Sequence, residues 1–490
     1  MSYRLGRIWL MLSVMAATSA CPSLGFGRVS WSTPGSYRLW LVERSPFTVD
    51  AAATEYPRAA LALHRLRLQP QVNVGQTLVR IEFDVLSGQI FGTTTSVASS
   101  ESLRQDSDPS IAYDGWVSVL PRQAWFSYKS DYFSLKAGQF ADHWGFGLIQ
   151  NSGYEADEKT WLLRPGGNWS GDLVDRVDIA ITPLNDFFSG SGADLSVFAG
   201  AGTVFHDERT HVLDGTSVSS AIAGIQYRDD VIEAGFRYGY REEEEENGDA
   251  FERHGYGVFG HAVVPLYLSN AKLRVGLEGY FADAQRLTAS GAVDNHGYAV
   301  IGRTEYRWNC PRLAFGIDFG RVSGDRPSTT QDEALTTDPG YRVGFIMFSD
   351  AMRVLTAREA ELSRGRGVDD FSQPTHGGLR NTQFVQLGVS WQPDEYEVGL
   401  TLLKAWTDEP TYSRLNTSAP NLPVDHFGAA ESVFYGTEGA LSLRYRPGWP
   451  GFRSLNLGMD AGALLPGPST APSNELGLIA KFLWRIELGW

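Results

Sequence analysis

The strongest constraint on this chain is an alternation of period two, carried by segments of about ten residues. At 271–284, Leu273, Val275, Leu277 and Phe281 fall on one face, and Lys272, Arg274, Glu278 and Tyr280 on the other. At 76–87, Val79, Ile81, Phe83 and Val85 oppose Arg80, Glu82 and Asp84. At 230–241, Ile232, Ala234, Phe236, Tyr238 and Tyr240 oppose Glu233, Arg237 and Arg241, and at 311–320 Leu313, Phe315, Ile317 and Phe319 oppose Arg312 and Asp318. Successive strand side chains point to opposite faces, so each segment reads as a strand with one apolar and one charged side. One such strand fits any half-exposed sheet. Many in succession fit an all-β fold, a closed antiparallel transmembrane barrel with lipid outside and water inside. A soluble sheet has no need of charges on one face of nearly every strand.

Composition removes the competing classes. The 490 residues are 42% hydrophobic, without the runs of about 20 apolar residues that membrane helices need. An aromatic content of 12% argues against disorder. A formal charge of −15 argues against nucleic acid as a partner. Two cysteines, Cys21 and Cys310, exclude a disulfide framework.

Turn lengths set the topology. Short connections at Tyr128–Tyr132, Arg228–Asp230, Leu268–Ala271, Trp308–Pro311, Gln392–Glu395 and Pro447–Arg453 alternate with long polar links. The long links are 88–114, 141–172, 205–217, 242–254, 285–295, 323–380, 408–434 and 465–473. Bacterial barrels have short periplasmic turns, long external loops and an even strand number. The pattern predicts eighteen strands: 36–44, 60–70, 76–87, 116–128, 131–140, 173–182, 194–204, 218–228, 230–241, 256–268, 271–284, 297–308, 311–322, 381–391, 395–407, 436–446, 453–464 and 475–490. The link 183–193 is long for a periplasmic turn. The strand-like piece 341–348 has no place in the alternation and is read as part of one excursion, 323–380. A short helix follows it, with Ser349 as N-cap, Met352, Leu355 and Leu362 on one face and Gly365 as a stop. The apolar content of this excursion predicts that it folds into or across the lumen as a constriction. Arg353, Arg358, Glu359 and Arg364 would then face lumen charges such as Arg312 or Asp318.

Both termini carry address signals. Arg4 and Arg7 precede the apolar stretch Ile8–Ala17 and the small residues Thr18-Ser19-Ala20, so 1–20 reads as a secretory signal peptide. A short periplasmic segment, 21–35, then leads into a barrel spanning 36–490. Cys21 allows a lipoprotein reading, against which Thr18 stands where a lipobox wants Leu. At the other end Phe482, Trp484, Ile486, Leu488 and Trp490 alternate with Lys481, Arg485 and Glu487. This resembles the terminal strand that the barrel-assembly machinery of bacterial outer membranes recognises.

No catalytic, cofactor-binding or metal motif is present, and the chain reads as a non-enzyme. His206 and His211, flanked by Asp207 and Glu208, read as a solvated external loop rather than a metal site. His143 beside Asp142 sits at a strand end without a marked nucleophile. The acidic run Glu242–Glu246 reads as an external loop, with divalent-cation bridging to lipopolysaccharide as its functional alternative. Trp144, Trp161 and Trp169 fit either sugar stacking or the interfacial girdle of a barrel. The lumen face is assigned Arg80, Glu82, Asp84, Arg122, Arg176, Asp178, Glu233 and Arg237. It also takes Arg274, Glu278, Arg312, Asp318, Arg444, Arg485 and Glu487. Such charges select solutes by field and width, or solvate and stiffen a lumen without a transport role.

Several stretches carry a resemblance: LHRLRLQPQVNVG (63–75), FDVLSGQIFGTT (83–94), KAGQFADHWGFGLI (136–149), DLVDRV (172–177), YRVGFIMF (341–348) and GGLRNTQF (377–384). In order along the chain, they resemble a family of uncharacterised outer-membrane β-barrels from myxobacteria and related deltaproteobacteria. The hairpin at 136–149 is also similar, over a short span, to porin and polysaccharide-export barrels. The resemblance implies the outer membrane of a Gram-negative bacterium and a barrel architecture, with no activity attached. The functional expectation is a porin-like channel for small hydrophilic solutes. A polysaccharide-export or surface-assembly barrel, and a plugged barrel serving as adhesin or anchor, are the alternatives.

Overall fold

A computed structural model of the chain describes residues 29–50, 53–92, 119–153, 160–167, 171–183, 194–207, 217–244, 250–266, 270–288, 291–309, 312–326, 331–363, 374–411, 432–448, 454–470 and 477–490. Eighteen long strands form the wall. The first six are β1 (Gly35–Arg44), β2 (Ala59–Leu68), β3 (Thr77–Gly92), β4 (Leu120–Lys129), β5 (Phe133–Ala141) and β6 (Leu173–Ile181). The next six are β7 (Asp194–His206), β8 (Ser217–Arg228), β9 (Ile232–Glu244), β10 (Ala250–Leu266), β11 (Ala271–Thr288) and β12 (Gly291–Trp308). The last six are β13 (Leu313–Val322), β14 (Thr382–Trp391), β15 (Tyr396–Thr411), β16 (Ser432–Tyr445), β17 (Ser454–Pro466) and β18 (Ile479–Gly489). Each pairs antiparallel with its chain neighbours, and β18 pairs with β1 through Leu39↔Ile486 and Leu41↔Trp484. Closure leaves no long unpaired edge among these strands, the condition for a sheet to span a lipid layer.

The faces follow the alternation. Val177, Ile179, Phe236, Leu277, Phe319, Leu387 and Leu400 are exposed on the outside. Arg176, Arg237, Glu278, Asp318 and Gln386, one residue away on the same strands, are buried inside. On the closing strand Phe482, Trp484, Ile486 and Trp490 are exposed and Leu488 is half-buried. The Trp490 backbone is tied to Gly35 by N–H···O bonds of 3.1 and 3.2 Å.

Four local departures from the sequence reading have simple causes. The links 242–254 and 285–295 are largely strand: Glu244 pairs with Ala250 and Thr288 with Gly291, because the ladder hydrogen bonds continue past the apolar belt. Glu242–Glu244 therefore belong to β9, with Glu243 turned inward onto Arg241 at 3.0 Å; Glu245 and Glu246 lie outside the described residues. Arg312 is an exposed turn residue at φ +58°, not a lumen residue, because the alternation that assigned it ends where β13 begins. Val29–Ser32, before β1, adds a short strand to Gln71–Val74, extending the wall at the short-turn end.

The signal segment 1–20 with Cys21, most of the link 183–193, Glu208, His211, Cys310, Trp169 and Arg364 all lie outside the described residues.

Candidate functional site: a lumen divided by two infolded loops

Two long connections turn inward. The first, 142–172, joins β5 to β6. Its tip, Gly145-Phe146-Gly147, needs glycine at both flanks, where φ is +58° and +81°. The Phe146 N–H donates to the Glu278 carboxylate of β11 at 2.5 Å. Further on, Trp161 N–H donates to Glu305 of β12 at 2.8 Å, and the Thr160 hydroxyl donates to the same carboxylate. Arg164 pairs with Asp318 of β13, and Leu163 N–H donates to the Ser390 hydroxyl of β14 at 2.6 Å. Gly166 N–H reaches Asp460 of β17 at 3.1 Å, while the Gly166 carbonyl accepts from Arg485 of β18. The described parts of the loop thus lie inside the lumen, held by wall acceptors and, at the Gly166 carbonyl, by the Arg485 donor. An unmade backbone N–H in such a place costs about 1–3 kcal/mol, which explains the acids.

The second connection, 323–381, joins β13 to β14. Its helical part is a π-helical turn, Met347–Met352, followed by α1 (Arg353–Ser363). The helix starts earlier than the sequence predicts, and Ser349 does not cap it: its hydroxyl donates back to the Phe345 carbonyl at 2.8 Å. Glu438 of β16 does that work from the wall. Its carboxylate accepts the backbone N–H groups of Phe345, Ile346 (2.9 Å) and Met347 (2.7 Å). A carboxylate at a helix start is favourable both as acceptor and as countercharge.

These elements give the lumen two unlike halves. Around β1, β2 and β14–β18, Ile346, Met347, Phe348, Ala351 and Leu355 are at most 3% exposed. They pack with Trp40, Leu403, Ala405, Tyr435 and Leu483 from the wall and with Phe47, Val49 and Tyr56 from the loop after β1. This half holds an apolar core, beside the buried charges Glu438, Arg444, Asp460 and Arg485. Its rim holds Lys481–Asp350 at 2.5 Å and Arg358–Asp50 at 2.9 Å. Arg358 therefore faces Asp50 on the neighbouring loop. Neither Arg312 nor Asp318 is its partner, since Arg312 is in a turn and Asp318 is taken by Arg164 and Arg303. Glu359 is buried, and Arg353 is half-buried near Asp350. Burial raises the Asp350 carboxyl, but Lys481, Arg44 and Arg353 outweigh it and hold it below its ordinary value.

The other half, along β6–β11, is charged. Arg176 forks onto Asp142 at 3.0 and 3.2 Å and onto Asp178 at 2.6 and 3.0 Å, while Arg237 reaches Asp142 at 3.0 Å. Burial pushes the Asp142 carboxyl up, yet Arg237 and Arg176 prevail and hold it well below the usual carboxylate range. Arg241 binds Asp207 and Glu243. A cavity of about 70 Å³ opens here, lined by Arg176, Arg237, Arg241, Arg253 and Glu278 from the wall and Trp144 from the loop. Among the described residues Arg253 has no ion-pair partner.

The remaining charges assigned to the lumen face are placed in three groups. Arg67, Glu82, Asp84 and Arg122 form a buried network, with Arg67 forked on Asp84 at 2.7 and 2.9 Å. Arg80 donates to Gln71 near the short turns, and Glu233 accepts from Arg228 at 2.7 Å close to His261. Arg274 lies 3.4 Å from Glu305 and under the Trp161 ring; Arg444 and Arg485 share Asp460, and Glu487 accepts from Trp40 and Asn456. Trp144 and Trp161 are thus loop residues inside the lumen rather than girdle residues. His206 is buried at the end of β7, and among the described residues no group of three or more His, Cys, Asp or Glu could hold a metal ion. Arg303, Glu305, Glu438 and Asp460 were not singled out from sequence, although all four sit on inward positions of the alternation.

No protein-family model matches the chain, and no curated protein sequence does. Solved structures do. The outer membrane protein OprD from Pseudomonas aeruginosa is similar at a TM-score of 0.52 and 12% identity, over 94% of this chain and 93% of that one. OccAB2 from Acinetobacter baumannii gives 0.52 and 10%, over 94% and 98%. OccK2 (OpdF) from Pseudomonas aeruginosa gives 0.51 and 10%, over 95% and 99%. At these identities the likeness is one of fold: a closed, eighteen-stranded antiparallel barrel of the kind those proteins adopt.

Proposed function

We propose that the chain is an outer-membrane channel through which small hydrophilic solutes diffuse passively, their path set by the charged half of the lumen. One observation carries this reading: inside a closed barrel with an apolar exterior, the infolded loops fill one side and leave an arginine-lined cavity along β6–β11. Ions and small polar molecules are stabilised there by side chains that replace their hydration. The apolar outer face meets lipid, and the alternating last strand is the part the assembly machinery reads.

The test is single-channel recording in planar bilayers with heat-modifiable, folded protein. Discrete ohmic steps are expected, narrower than an open eighteen-stranded barrel would give. Silence from a folded barrel would overturn the channel reading. A second reading, a plugged barrel acting as a surface anchor, is favoured by the dry core around Leu355 and gains if the protein is silent.

A further inference from the structure

The cavity along β6–β11 ends at one level on three adjacent strands. It reaches Ile222 on β8, Arg237 on β9 and Gly257 on β10. The next inward positions toward the short turns are Gly224, Gly235 and Phe259, paired Gly235↔Phe259 and, on the far side, Phe198↔Gly224. At that level three rings meet. The Trp144 ring stands edge-on to Phe259 at 4.8 Å between centroids and 5.7 Å from Phe198. A Cβ on Gly235 would lie 2.9 Å from the indole, and one on Gly257 3.2 Å from its Nε1. The wall is therefore pared to backbone where the indole lies. That nitrogen is buried and makes no hydrogen bond among the described residues. One step further down, the charged lining resumes, with Glu233 opposite His261 and Gln226 donating to Glu233 at 2.9 Å. The order along the wall is cationic, aromatic, then carboxylate and imidazole.

We propose that Trp144, Phe198 and Phe259 form the narrowest point of the conducting path, an aromatic collar between two hydrated chambers. This rests on the channel reading above. Rings meeting in a narrow passage hold water poorly, so a short apolar collar raises the barrier to ions far more than its length suggests. Phe198 and Phe259 belong to the rigid wall. Trp144 does not: it sits on the loop, next to the Gly145-Phe146-Gly147 tip, and its height is fixed by the Phe146 N–H bond to Glu278. Trp144 is thus the side chain that sets the opening. The Arg237 guanidinium, 5.8 Å from the ring, keeps a cation directly above the collar.

The experiment compares Trp144→Ala, Phe259→Ala and Trp144→Phe with the wild type in planar bilayers, each shown to be folded by heat-modifiable mobility. Both alanine variants should raise unit conductance, by about threefold for Trp144→Ala, while Trp144→Phe stays near the wild-type value. Equal conductance in wild type and both alanine variants would overturn the collar and leave the channel reading standing. Silence from all four folded proteins would overturn both.

Discussion

The two halves of the lumen are held by different forces. On the β14–β18 side the infolded segment is fixed by apolar burial, with Glu438, Gln386 and the Lys481–Asp350 and Arg358–Asp50 pairs as its polar anchors. On the β6–β11 side the same barrel holds arginines and carboxylates in forks, with room for water between them. Fully burying a large aliphatic or aromatic side chain stabilises by about 1.5–3 kcal/mol, independent of salt and nearly of pH. The ion pairs opposite are themselves buried, so removing one partner of such a pair costs about 3–5 kcal/mol. The difference teaches which loop is a plug and which bounds a path: the segment 342–360 packs as part of the wall, while the loop 142–172 carries Trp144 to the edge of the cavity.

The largest effect should come from putting a charge into the dry half. Leu355→Asp forces an unpaired carboxylate among side chains that are almost fully buried, at a cost of several kcal/mol. The strands do not depend on this residue, so the barrel should still form while the plug leaves its seat. Conductance should rise several-fold, and α1 should become open to protease. A folded variant with unchanged conductance would mean that the dry half is not what closes that side.

Glu438→Ala should come next. It removes the acceptor of three backbone N–H groups in a buried place, each worth about 1–3 kcal/mol when left unmade. Glu438→Gln keeps one acceptor oxygen and should fall between. Hydrogen exchange of residues 345–347 reads this directly, and equal protection in all three proteins would contradict the anchor.

In the charged half, Arg237→Glu should change selectivity in whatever protein still folds. It places a carboxylate beside Asp142, whose other support is Arg176. The reversal potential in a salt gradient should move toward cation preference. No movement would place the ion path elsewhere.

The smallest effect is at the rim. Burial raises the Asp50 carboxyl, but the Thr54 hydrogen bonds and Arg358 outweigh it and leave its folded pKa below the ordinary value. A depressed carboxyl stabilises above its unfolded pKa of about 4, and that contribution fades as pH falls through the lower folded value. Protection factors of α1 amides, corrected for the intrinsic exchange rate at each pH, should therefore fall on acidification below about pH 4. Asp50→Asn should remove this share of the acid response; an identical pH profile in that variant would detach the pair from the plug.

How much of this was legible follows from the range of each interaction. The alternation is local, and it located all eighteen strands, the two faces and the long excursion at 323–380 from residues a few positions apart. It overreached only where a strand ended, as at Arg312, or ran on, as at Glu242–Glu244. The anchors are not local. Phe146 meets Glu278 and Phe345 meets Glu438 across intervals of 132 and 93 residues, and no periodicity connects them. The apolar run Val343–Phe348 announced that 323–380 would seek burial. Loop 142–172, bound chiefly through backbone N–H groups, gave no comparable signal. The glycines facing Trp144 from β9 and β10 were the one available hint, visible once their inward parity is known.

The most direct test of a lumen divided into a dry and a wet half is thiol modification under current recording, in a background without Cys21 and Cys310. Gly239 lines the cavity with nothing within 4 Å of a Cβ, and Ala405 lies fully buried in the dry core. A charged, water-soluble thiol reagent should react with Gly239→Cys and cut its conductance, while leaving Ala405→Cys unmodified and its current unchanged. Comparable reaction at both positions, or modification of Gly239→Cys without any effect on current, would contradict the account.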